Sequence, residues 1–290
     1  MEINRIKTQR ALAPTQISLA DYVINPYRGC SLGCRFCYVR FNKNVVRRKQ
    51  AWGEFVDVKE NLPLLLEQEL KDISPKRVLL GSTTEVFMPE EERFRLTSKI
   101  IKILAKNTIP VVILTRSPLI EKYLPLLCYS LKNKIYFTFI KRPLKISQPL
   151  EPKSASWQRR RKTLKAIIKA GISLRVHIGP FIPFLDNLDE VLKVMPEGIR
   201  EIEVEIFNPY LGNWPELRKI LTPFADAPLL QNIDILYSQK QPYNEFCQEL
   251  KYSLERVKKR YGFSCRLLIC PRSKFYTPDI IYEPPAGNPF

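Results

Sequence analysis

The sharpest chemistry in this chain is carried by three cysteines. They are Cys30, Cys34 and Cys37, spaced Cys-x3-Cys-x2-Cys within Asn25-Pro-Tyr-Arg-Gly-Cys-Ser-Leu-Gly-Cys-Arg-Phe-Cys-Tyr38. Thiolates this close can ligate three corners of a cubic [4Fe–4S] cluster, leaving the fourth iron an open coordination position. Such an iron can bind a small molecule and pass it an electron. Gly29 and Gly33 flank the first two thiols and let the backbone fold tightly around them. N–H groups freed in such a loop can bond to sulfides and tune the potential. Two other readings use the same residues. A zinc knuckle wants a fourth ligand, yet no Cys or His follows at finger spacing, and the one histidine, His177, lies far downstream. The other is three buried free thiols, which rarely share so regular a spacing.

A loop of this kind needs a scaffold. Residues 22–25 read as a short strand feeding the cysteines. Beyond them, apolar runs alternate with amphipathic stretches. Helices are expected at 61–73, with Leu62, Leu65, Leu66 and Leu70 on one face, and at 93–106, with Leu96, Ile100, Ile103 and Leu104 in register. Ser117-Pro118 reads as a helix start. A basic helix over 156–170 is closed by Gly171. Asn187 and Glu190 have capping-box spacing before Val191 and Leu192. Strands are expected at 77–81, 109–115, 134–140, 172–178 and 199–207.

This alternation calls for a parallel sheet with helices outside, and a six-stranded open βα barrel fits the count. Sites in such sheets lie at the C-terminal ends of the strands. The pattern then changes. A helix with a basic end is expected at 243–261, closed by Gly262, and a strand at 263–269. The proline-rich tail reads as irregular. The expected division is a partial barrel over 1–207 and an α+β extension over 208–290, near the barrel mouth.

At 290 residues and 45% hydrophobic content, the chain can bury a large α/β core. No apolar run reaches the ~18 residues of a membrane span, and the first residues lack the apolar stretch of a signal peptide. Seven cysteines, an odd count without a framework of spacings, fit a reducing cytoplasm. The net charge is +18, with basic residues clustered at 43–49, 159–162 and 256–260. That sign draws polyanions, nucleic acid above all. Solvated helix faces of a lysine-rich chain would leave the same composition.

The whole string Ile24-Asn-Pro-Tyr-Arg-Gly-Cys30-x-x-Gly-Cys34-x-x-Cys37-Tyr38 resembles the radical S-adenosylmethionine (SAM) enzymes. Within them it is similar to the spore photoproduct lyase-like branch, and the likeness spans roughly residues 20–206. The resemblance implies a partial (β/α)6 barrel, a [4Fe–4S] cluster on the three cysteines, and SAM at the open iron. One electron passed to the sulfonium then releases methionine and a 5′-deoxyadenosyl radical, which abstracts hydrogen from a substrate carbon. A flavodoxin- or ferredoxin-like reductant supplies the electron.

The resemblance also implies SAM contacts. Ser82, Thr84 and Glu85 lie in the segment for its amino group, where hydroxyls and a carboxylate suit an ammonium; a polar turn has the same composition. Arg116 would hold the SAM carboxylate and Thr138 the ribose. Phe36 and the turn ending at Pro183 would lie by adenine, and Glu151 would touch SAM or brace the loop. Tyr38 matches a tyrosine that the lyase uses in radical transfer. The lyase repairs a thymine dimer in DNA, but Ser82 stands where its hydrogen-donating cysteine aligns. A serine O–H is too strong for that role, so dimer repair is not expected.

The competing classes are a non-catalytic nucleic-acid-binding protein with a structural zinc or Fe–S site, and a redox carrier. His177, between Val176 and Ile178, reads as a hydrogen-bonded core histidine. Cys265 and Cys270 are too few to make a metal site by themselves.

Overall fold

The computed structural model describes residues 1–209 and 213–269. In chain order the strands are β1 (Glu2–Ile6), β2 (Ala13–Pro14), β3 (Tyr22–Ile24), β4 (Tyr27–Gly29), β5 (Phe55–Lys59) and β6 (Val78–Leu80). They continue with β7 (Val111–Thr115), β8 (Lys134–Thr138), β9 (Ser173–Phe181), β10 (Glu201–Ile206) and β11 (Ser264–Leu268). The main sheet has the order β11-β10-β9-β8-β7-β6-β3-β2. Every neighbouring pair in it is parallel except β2 with β3.

This is an α/β fold in which six parallel strands, β3 and β6 to β10, follow one another in chain order. The sheet stays open between its edge strands β2 and β11, so the barrel is partial. β6 and most of β7 are buried on both faces, and their Val/Leu/Ile runs are those of strands covered on either side. Helix Leu96–Lys106 covers the sheet with Ile100, Ile101 and Leu104, while Leu96 packs with Tyr27, Val56 and Val58. Helix Trp157–Lys169 does so with Leu164 and Ile167.

The caps expected at Ser117 and Asn187 form, accepting from the Leu119 and Glu190 amides, and Ser156 adds another, accepting from Arg159. Each satisfies a donor that a helix start would otherwise leave bare. The segment after Ser117 is a 3₁₀ helix, Pro118–Tyr123. The helix expected over 93–106 is interrupted at Arg95, whose φ of 53° separates a short turn at Glu91–Phe94 from the main helix.

After residue 207, helices Trp214–Leu221, Ala227–Ser238 and Lys240–Tyr261 lead back to the sheet, where β11 pairs parallel with β10. Gly262, at φ 68°, ends the last helix. Cys270 and the proline-rich tail lie outside the described residues. No helix among those described is long and apolar enough to cross a membrane.

A second, three-stranded sheet escapes the sequence reading. β5 is central, parallel to β1 and antiparallel to β4. β5 carries Asp57 in its middle, which hides its period. The carboxylate is fully buried, accepting from Arg28 Nε at 2.6 Å and Arg48 Nη2 at 2.7 Å. This sheet presents β4, and therefore the start of the cysteine loop, to the end of β3.

Candidate active site

The loop leaves β4 at Gly29, whose φ is 84° and whose carbonyl accepts from the Thr84 hydroxyl at 2.6 Å. Its next turns are internal: the Gly33 amide donates to the Cys30 carbonyl at 3.3 Å and the Cys37 amide to the Cys34 carbonyl at 3.2 Å. The Arg35 amide ties the loop to Leu150 at 2.9 Å. Segment 51–54 presses against it from outside. A Cβ at Gly53 would stand 2.7 Å from the Gly33 Cα, so two bare backbones meet there.

Cys30 and Cys34 are buried and Cys37 half-buried, and all three line one cavity of about 310 Å³. Burial pushes all three thiols up. Cys34 raises its two neighbours further, bringing Cys37 to about 12, while Arg116 pulls the other way on Cys34. A bound metal's positive charge would offset this and hold the three as thiolates.

The Trp52 Nε1–H is buried without a partner among the described residues, packs in the same cluster as Cys37 and lines the same cavity. It is a spare donor of the kind that bonds to a cluster sulfide. Among the described residues, no three Cys, His, Asp or Glu side chains converge on one ion position, as a zinc knuckle requires. Thiolates of a cubic cluster bind separate irons and need not converge. The donor set fits a cluster.

Ser82, Thr84, Glu85, Arg116, Thr138, Phe36 and Tyr38 all line this cavity, brought there by the ends of β6, β7 and β8 and by the loop itself. Asn25 fixes Ser82 and Thr83, donating to Ser82 Oγ and accepting from the Thr83 amide, both at 3.0 Å. Tyr38 donates its hydroxyl to the Ser82 carbonyl at 2.6 Å. Burial, then the nearby Cys37, pushes that phenol up, so it stays protonated. The Glu85 carboxylate is raised by burial, though it accepts from Thr115 Oγ1 at 2.6 Å and from the Arg116 and Phe87 amides at 2.9 and 3.0 Å. It locks the end of β6 to the end of β7.

The Arg116 guanidinium stands 5.4 Å over the Phe36 ring, donates to Cys34 Sγ at 3.8 Å and pairs with Glu151. Glu151 does not line the cavity. Burial alone would raise its pKa, but Arg160, 2.9 Å away, with Arg116 and Arg142, holds it down at about 2. Its place is under the loop. Pro183 also lies off the cavity, which Gly179 and Pro180 line instead. β9 runs on to Phe181, opposite Ile206, so the turn begins beyond the rim.

The sequence reading missed the opposite wall. His177 lines the cavity rather than the core, with its side chain 18% exposed. Its Nδ1 meets Glu203 Oε1 at 2.8 Å and its Nε2 meets Glu205 Oε2 at 3.1 Å. Burial lowers the imidazole pKa, but hydrogen bonds to both glutamates outweigh it and raise it to about 9. The available signal was the alternation Glu201-Ile-Glu203-Val-Glu205, a strand with one charged face inside a barrel.

The basic runs divide. Arg160 is buried on Glu151 and Arg161 donates to the Val194 carbonyl, whereas Arg159, paired with Glu121, and Lys162 stay exposed. Lys43, Arg47 and Lys49, next to the cysteine loop, are exposed, as are Arg256 and Lys258 to Arg260.

The family model described as the radical SAM superfamily matches residues 24–195. An uncharacterized protein of Methanocaldococcus jannaschii is 33% identical over 192 residues, 66% of this chain and 72% of that one. One of Mycobacterium tuberculosis is 30% identical over 187 residues, 59% of this chain and 54% of that one. The fold is shared with spore photoproduct lyase bearing AdoMet and dinucleoside spore photoproduct, at TM-score 0.63 and 14% identity, over 92% of this chain and 81% of that one. It is also shared with Streptococcus suis SuiB bound to S-adenosylmethionine, at TM-score 0.52 and 15% identity, over 89% and 52%. With three cysteines at the mouth of a partial parallel barrel and a family match over more than half its length, the chain belongs to the radical SAM superfamily and is a radical SAM enzyme.

Proposed function

We propose that Cys30, Cys34 and Cys37 hold a [4Fe–4S] cluster whose remaining iron binds SAM, and that the substrate carbon is presented in the cavity between this loop and β8 to β10. The observation carrying this reading is the placement of three thiols on one cavity at the strand ends. When bound, cluster and SAM together supply reductive cleavage of a sulfonium and hence a carbon radical able to abstract hydrogen.

The chain's own residues bind, orient and shield. Thr84 and Glu85 fix the segment proposed for the SAM amino group, and Ser82 is held there by Asn25. Arg116 is aimed at Cys34 by Glu151, which supports its proposed part in holding the SAM carboxylate. Thr138 is the proposed ribose contact. Phe36 and Pro180 are the apolar surfaces for adenine, with Pro180 taking the place expected for Pro183. Ile17, Leu19, Leu32 and Leu114 also line the chamber and exclude water from it. Tyr38, between Cys37 and Ser82, is the proposed radical-relay tyrosine.

Nucleic acid is the proposed macromolecular partner, supported by the exposed Lys43, Arg47 and Lys49 beside the loop. Ser82 argues against thymine-dimer repair. A low-potential flavodoxin- or ferredoxin-like protein is the proposed electron donor.

Anaerobic reconstitution followed by metal and sulfide analysis tests this reading. The expected product contains iron and sulfide together, with a reduced-state paramagnetic spectrum that changes when SAM is added. Stoichiometric zinc without iron, or a cluster spectrum indifferent to SAM, would contradict it. Retention on DNA and RNA that weakens steeply with salt is expected for the partner, and a flat salt response would remove it.

A further inference from the structure

Helix Leu144–Leu150 ends in a turn that grips the cysteine loop. The Leu150 carbonyl accepts from the Arg35 amide at 2.9 Å. Lys153 Nζ donates to the Gly53 carbonyl at 2.9 Å, in the segment that meets Gly33. The Ser154 amide closes the turn on the Glu151 carbonyl at 3.1 Å. Tied to the loop on both sides, the turn brings its one hydroxyl, Ser154 Oγ, to 3.7 Å from Cys34 Sγ.

Ser154 is half-buried, and its hydroxyl has no other hydrogen-bond partner among the described residues. It does not line the cavity, so no ligand held there competes for it. The other side-chain donor to Cys34 Sγ is Arg116, at 3.8 Å, which does line the cavity and is proposed for the SAM carboxylate. Among the described residues, no side chain donates to the sulfur of Cys30 or Cys37. Cys34 is thus the thiol whose surroundings the side chains adjust, and Ser154 is the donor reserved for it. A metal-ligating cysteine has lost its proton, so its sulfur only accepts and the hydroxyl has to donate. A hydrogen bond to such a sulfur favours the state that carries the extra electron, and so raises the reduction potential.

We propose that Ser154 is a potential-setting residue, whose hydroxyl donates to the Cys34 thiolate and eases reduction of the metal centre held there. Leu150, Glu151 and Lys153 position it by tying its turn to the loop. The proposal rests on the reading of Cys30, Cys34 and Cys37 as cluster ligands.

The test is a redox titration of the reconstituted full-length protein, followed by the reduced-state paramagnetic signal. Ser154→Ala should lower the reduced-to-oxidised ratio at a fixed potential about fivefold, the weight of one neutral hydrogen bond. At ~59 mV per tenfold for one electron, that is a fall of about 40 mV. Ser154→Thr, which keeps the hydroxyl, should stay near wild type. Should the Ala variant hold no iron, Ser154→Val against Ser154→Thr makes the same comparison at constant shape. Pulsed ENDOR in H2O and D2O should show one exchangeable proton fewer near the cluster once the hydroxyl is gone. Equal potentials in all variants, or a Thr variant as low as the variant without a hydroxyl, would overturn the proposal. Iron and the response to SAM are measured on the same samples. A SAM-responsive cluster with unmoved potentials strikes this inference alone, whereas wild-type protein that takes up no iron strikes the proposed function.

Discussion

His177 is the only histidine of the chain, so its imidazole gives a single set of resonances in the full-length protein. Between Glu203 and Glu205 its pKa rises from 6.5 to about 9. The gap, about 9 less 6.5, is about 2.5 pH units; at ~1.36 kcal/mol each, the folded state favours the charged ring by on the order of 3 kcal/mol. The folded value lies above the unfolded one. The stabilisation is therefore complete below about 6.5 and is lost as pH rises through about 9.

Ring shifts followed against pH should show a midpoint near 9. Glu205→Gln, which keeps an acceptor but removes one charge, should lower that midpoint by about one unit. Urea unfolding should show that His177→Gln costs more stability at pH 6 than at pH 10. A midpoint between 6 and 7, or one unmoved by Glu205→Gln, would refute the bridged imidazolium.

Two further outcomes follow from the loop's supports. Glu151→Gln should cost on the order of 3 kcal/mol at pH 7, because it leaves Arg160 and Arg116 short of a buried partner. The Glu151 carboxylate is held down at about 2 against 4.5, so its contribution is present above 4.5 and lost as pH falls through about 2. Chemical denaturation should thus show a smaller difference from wild type at pH 3 than at pH 7, and no difference at pH 7 would refute it. Gly53→Ala pushes a methyl to 2.7 Å from the Gly33 backbone at a φ of 93°. It should cost about 1–3 kcal/mol and lower the iron retained per chain after reconstitution. Unchanged iron and unchanged stability would show that the two backbones can part freely.

What could be read from the sequence was what lies close along the chain. The three thiols, their glycines and the six parallel strands each have a local signature: spacing, φ-permissive residues, alternating apolar periods. His177, Glu203 and Glu205 do not. They meet only through the β9–β10 register, and a histidine between valine and isoleucine looks like core until the facing strand is known. The run 159–162 was only partly legible. It reads as a polyanion patch, and Arg159 and Lys162 are exposed, yet burial turns Arg160 onto Glu151. β5 was hidden because Asp57, neutralised by Arg28 and Arg48 from distant segments, breaks an otherwise plain strand pattern. Pro183 was misplaced by the length of β9, which no local residue announces.

That Cys30, Cys34 and Cys37 leave one iron for SAM is tested most directly by product. Reconstituted protein with dithionite and SAM should release 5′-deoxyadenosine and methionine, and the Cys30→Ala/Cys34→Ala/Cys37→Ala protein should release neither. Cleavage that survives the triple replacement, or wild-type protein that retains a full cluster and never cleaves SAM, would contradict it.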